Sequence, residues 1–137
     1  MLDPLGGYLQ LGAALLGDGR CPPEVAASGW NFGPSPTSAK TVEALVRGLS
    51  EAMGGEGWAA EAGYAGPPEA QQLRLAIDKA VGVLGWAPRW GFEETVARTA
   101  AWYRAWLHDA PPASLRRLCA SQMDDWTSSG EALRDHA

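Results

Sequence analysis

Residues 69–106 read EAQQLRLAIDKAVGVLGWAPRWGFEETVARTAAWYRAW, and this stretch decides the fold. The pattern predicts a short strand at Gln72–Leu75, then a short helix over Asp78–Leu84. Gly85 stops that helix, and Trp86-Ala87-Pro88 forces an extended exit, because proline disfavours the helical conformation in the residue before it. A long helix is expected from about Phe92 to His108. On a 3.6-residue wheel Phe92, Val96, Ala100, Tyr103, Trp106 and Leu107 fall on one side, with Thr99 and Trp102 at its edge. Glu93, Glu94, Ala97, Arg98, Ala101, Arg104 and His108 fall on the other. A helix with one deep apolar face carrying three large aromatic rings needs a partner surface.

Toward the N-terminus, Asp3 followed by Pro4 reads as an N-cap with proline at the first helical position. The helix is expected to reach Leu16 and to end at Gly17. Leu5, Tyr8, Leu9, Leu11, Leu15 and Leu16 cover more than half of its circumference, which predicts a largely buried element. A buried first helix implies that a preceding lobe or a partner continues from this terminus. Residues 17–29 form a loop rich in glycine and proline, and Trp30-Asn31-Phe32 reads as a short strand broken by Gly33-Pro34. Thr37 or Ser38 is expected to cap a helix over 39–53, with Val42, Leu45, Val46, Leu49 and Met53 on one stripe. Trp58–Ala62 reads as a further short strand, and Gly63–Pro68 as a turn-rich approach to the central stretch. After Pro111-Pro112 a last helix over 113–124 carries Leu115, Leu118 and Met123, with a polar, fraying tail from Thr127. The fold class is therefore a helix-rich α/β lobe of about five helices and two or three short strands, too few strands for a free-standing sheet. Residues 1–137 make one domain.

Composition excludes several classes of function. A net charge of −5 argues against a nucleic-acid partner and, more weakly, against anionic membranes. No apolar run approaches the roughly 20 residues of a membrane helix, and no basic segment followed by an apolar core opens the chain. Cys21 and Cys119 have no metal-type spacing and read most simply as two free thiols of a cytoplasmic protein, with a disulfide between them as the alternative. His108 and His136 lie far from the cysteines and from each other, so no metal site is expected.

Lys79-Ala80-x-x-x-Leu84-Gly85-Trp86-x-Pro88, followed by a long helix ending near Trp102-Tyr103, resembles the C-terminal lobe of the extended short-chain dehydrogenases. Leu2-Asp3-Pro4-Leu5-x-Gly7-Tyr8-Leu9, Gly29-Trp30-Asn31-Phe32-Gly33-Pro34 and Pro88-Arg89-Trp90 narrow the resemblance to the CDP-glucose 4,6-dehydratase branch. So does Leu115 with Gln122-Met123-x-x-Trp126, where that branch usually ends Gln-Ile-x-x-Tyr. The resemblance runs in order along nearly the whole chain. It implies a nucleotide-sugar-binding lobe without the Rossmann sheet, from an enzyme that uses NAD to oxidise the sugar at C4, eliminates water across C5–C6 and returns the hydride at C6. Met1 is expected to stand where the longer family protein continues straight through.

The family's catalytic tools are not in these residues. Gly12, Pro68 and Leu107 stand four residues after Tyr8, Tyr64 and Tyr103, so there is no Tyr-x-x-x-Lys pair. The one G-x-G-x-x-A run, Gly55-Glu56-Gly57-Trp58-Ala59-Ala60, follows a helix and precedes a strand, the reverse of a dinucleotide fingerprint. A helix cap and turn is its expected role. No catalytic residue and no bound cofactor is therefore expected for this chain alone. A separate NAD-domain chain would complete it; an interaction module or remnant, or a homo-oligomer formed through the uncovered apolar surface, is the alternative.

Four residues are candidate substrate contacts, two of them from the resemblance and two from side-chain chemistry. The family's ribose-binding aspartate falls on Glu69, which keeps a carboxylate acceptor for a diol; a solvated loop carboxylate is the competing reading. The pyrophosphate-binding arginine falls on Gly66, and Pro68 stands where the branch has histidine. Asn31 matches a strand-end asparagine near the nucleotide, or ties down the adjacent turn. Arg74 and Arg89 are candidate phosphate partners because guanidinium matches phosphate geometry. Arg74 could equally face solvent, and Arg89 could stack on an indole.

Overall fold

The computed structural model describes residues 1–38, 40–55, 58–59 and 75–134. Six α-helices are found among them: α1 (Leu2–Leu15), α2 (Pro23–Ala26), α3 (Val42–Met53), α4 (Asp78–Leu84), α5 (Phe92–Leu107) and α6 (Pro112–Arg134), with a 3₁₀ turn at Pro36–Ser38. The chain divides into two units. One comprises Met1–Ala39, Arg74–Gly91 and Trp126–Ala137; the other comprises Lys40–Leu73 and Phe92–Asp125.

In the first unit α1 packs against α2 and α4. Its core joins Ala14, Cys21, Ala26, Phe32, Ile77, Ala80, Leu84 and Trp86, with Leu11, Val25 and Trp30 against its edge. Trp86 is the largest fully buried side chain, 2% exposed. It reaches the core because α4 ends on Gly85 in the left-handed conformation (φ 63°), and the Trp86 amide folds back to donate to the Ala80 carbonyl at 3.1 Å. The Phe32 ring meets Trp86 edge-on at 5.0 Å and Tyr8 at 5.5 Å. Glycine in mid-helix costs about 1 kcal/mol relative to alanine, and α1 carries two in succession for a steric reason. A Cβ on Gly6 would lie 2.2 Å from the Trp126 ring, and one on Gly7 would lie 2.3 Å from the Phe32 ring.

In the second unit α3 lies beside α5. Lys40 sits over the Phe92 ring at 5.7 Å, Gly48 faces Val96, and the Arg104 side chain reaches the Ala52 carbonyl, so the two helices run in the same direction. Val96 and Ala100 are the buried residues of α5. Arg98 pairs with Glu94 at 2.7 Å and with Asp125, while Gln122 donates to the Arg98 carbonyl at 3.0 Å. The hydrogen bonds to Glu94 and then Asp125 hold the Arg98 guanidinium above its ordinary pKa.

Several expectations are corrected. No strand occurs among the described residues: Trp30-Asn31-Phe32 is irregular, as are Trp58 and Ala59, while 60–62 and 72–74 lie outside those residues. Trp30 is instead fixed by its indole N–H donating to the Ala26 carbonyl at 2.9 Å. The N-cap of α1 is Met1, not Asp3, whose carboxylate is used elsewhere. The same helix is only half buried, with Leu9 77% and Leu15 46% exposed, because its packed side is made of small residues. The N-cap of α3 is Thr41, whose hydroxyl accepts from the Ala44 amide at 3.1 Å, rather than Thr37 or Ser38. Pro23–Ala26, read as loop, is a single helical turn started by proline. The last helix runs on through the supposed frayed tail to Arg134. The helices at Asp78–Leu84 and Phe92–Leu107 lie where the periodicity puts them.

The contrast between two glycines of α1 provides a test. Gly7→Ala should lower stability by about 1–3 kcal/mol through overpacking against Phe32. Gly12→Ala, where an added Cβ meets nothing within 4 Å, should raise it by about 0.5–1 kcal/mol. Urea denaturation followed by tryptophan fluorescence measures both.

Candidate functional site

Asp3 joins three distant parts of the first unit. Its Oδ1 accepts from the Arg89 amide at 2.8 Å and from the Trp126 indole N–H at 2.8 Å, and Oδ2 accepts from the Trp90 amide at 3.4 Å. Its backbone carbonyl takes the Trp86 indole N–H at 3.1 Å. Arg89 then lies over the Trp126 ring at 3.8 Å and donates through Nη1 to the Trp126 and Thr127 carbonyls at 2.7 and 3.2 Å. Gly130 leaves the space for this guanidinium, since a Cβ there would come within 2.1 Å of Arg89 Cζ. Charge-assisted hydrogen bonds of this kind are the stronger ones in proteins. The arrangement holds structure together and presents no free nucleophile or base.

A second set of contacts secures the entry to α4. Lys79 Nζ donates to Ser28 Oγ at 2.5 Å and to the Gly29 carbonyl at 3.0 Å, and it lies over the Trp30 ring at 4.1 Å. Asn31 Nδ2 donates to the Ala76 carbonyl at 3.3 Å. Gly33 admits the Leu75 side chain, which would sit 3.2 Å from an added Cβ. These contacts set the 28–36 segment beside the first turn of α4.

Between them opens a groove of about 420 Å³, lined by Ser35, Pro36, Ile77, Asp78, Val81, Gly82, Ala87 and Pro88. Its volume falls in the range of small-molecule sites. Two prolines, Val81 and the backbone at Gly82 offer an apolar shelf. The Asp78 carboxylate supplies acceptors, and the Ser35 hydroxyl, already paired with Thr37 at 2.9 Å, supplies a further polar group. Among the described residues that line it there is no cation, thiol or imidazole. These lining groups suit an uncharged or hydroxyl-rich group.

Of the residues that the sequence marks for substrate, Asn31 secures the Ala76 carbonyl and Arg89 lies against α6; the two do not converge. Glu69 and Arg74 lie outside the described residues. Asp78 and Ser35, which line the groove, received no binding role from sequence.

The chain is 39% identical over 108 residues, 78% of its length, to CDP-glucose 4,6-dehydratase of Salmonella typhimurium (strain LT2). It is a homologue of the C-terminal part of that dehydratase. The match spans 29% of the dehydratase's length, so the chain corresponds to less than a third of that relative. No family model matches the chain. The dehydratase resemblance also gives the contacts around Asp3 a meaning. The Leu-Asp-Pro-Leu, Pro-Arg-Trp and Gln-Met-x-x-Trp motifs, far apart in sequence, supply Asp3, Arg89, Trp90 and Trp126 to one set of hydrogen bonds. These motifs mark how the lobe is held together.

The G-x-G-x-x-A run begins directly after Gly54, the left-handed cap (φ 74°) that ends α3, so it follows a helix and not a strand. Among the described residues no helix is long and apolar enough to cross a membrane.

Asp3→Ala leaves the Trp126 indole and two backbone amides without their acceptor, each at a cost of about 1–3 kcal/mol if no water replaces it. The expected result is a loss of about 2–4 kcal/mol in urea denaturation, with a red shift of tryptophan emission as Trp126 gains water.

Proposed function

We propose that the chain is the nucleotide-sugar-binding lobe of a sugar-nucleotide 4,6-dehydratase, without catalytic activity of its own. The observation that carries this reading is the 39% identity across 78% of the chain to the C-terminal part of CDP-glucose 4,6-dehydratase. The groove beside α4 supports it. Its apolar shelf suits a pyrimidine ring, and Asp78 can accept hydrogen bonds from ribose hydroxyls. Glu69 would add a second carboxylate acceptor and Asn31 an amide, with Arg74 toward the pyrophosphate. Arg89 would have to leave the Trp126 and Thr127 carbonyls to meet a phosphate. Oxidation and elimination would use NAD and an NAD-binding lobe, because these residues hold no Tyr-x-x-x-Lys pair and no glycine-rich strand–turn–helix. A non-catalytic interaction module or remnant is the second reading, favoured by the aromatic surface of α5, where Trp106 is 53% exposed.

Calorimetric titration separates the two. The lobe reading expects weak but base-selective binding of CDP and CDP-glucose, tighter than ADP, and a roughly tenfold loss for Asp78→Ala, the equivalent of about one hydrogen bond. Absence of any nucleotide binding supports the module, and turnover of CDP-glucose by the 137-residue chain alone overturns the non-catalytic assignment.

A further inference from the structure

We draw no further inference here: the strongest candidate, the exposed aromatic patch of Tyr103, Trp106 and Leu107 at the C-terminal end of α5, carries nothing because nothing in the structure shows what covers it.

Discussion

A single carboxylate organises the first unit. Asp3 gathers the Arg89 and Trp90 amides and the Trp126 indole, while its own carbonyl takes the Trp86 indole. Residues from the beginning, middle and end of the chain therefore meet on one side chain. A partly buried carboxylate is tolerated only when its lone pairs are answered, and here three donors answer them. The direction of α1, the exit from α4 and the start of the last helix's final turns all follow from that requirement.

The groove beside α4 depends on the same logic at second hand. Trp86 is anchored at Asp3, so Ala87 and Pro88 leave the core along a fixed path and form one wall. Lys79 holds the 28–36 segment through the Ser28 hydroxyl and the Gly29 carbonyl, and Asn31 ties that segment to the Ala76 carbonyl just before α4. These bonds fix the opposite wall.

The helices were legible where local signals agree. Periodicity and a terminal glycine located α4 and α5, because Gly85 leaves no other stop. What escaped depended on partners distant in sequence. Asp3 has the composition of a cap, but tryptophans 83 and 123 positions away claimed it. The Trp30–Phe32 segment has strand composition, yet no neighbouring strand pairs with it among the described residues, and Trp30 found the Ala26 carbonyl instead. The length of α6 was hidden because Thr127, Ser128 and Ser129 are weak helix formers; Arg89, by binding the Trp126 and Thr127 carbonyls, ties the chain there. The exposure of α1 was misjudged for a related reason. Leucine content implied burial, whereas Gly6 and Gly7 set which side packs. Of the candidate site, Asn31 was visible as a residue, but its partner at Ala76 was not.

The adjacent glycines of α1 each form a seat for one aromatic ring, Trp126 for Gly6 and Phe32 for Gly7. Such seats bind positions 6 and 126, and 7 and 32, into pairs that can drift only jointly. A methyl gained on the helix is tolerated once the ring opposite has shrunk, and costs stability before. The cheaper order of change at each pair therefore runs through the smaller ring first.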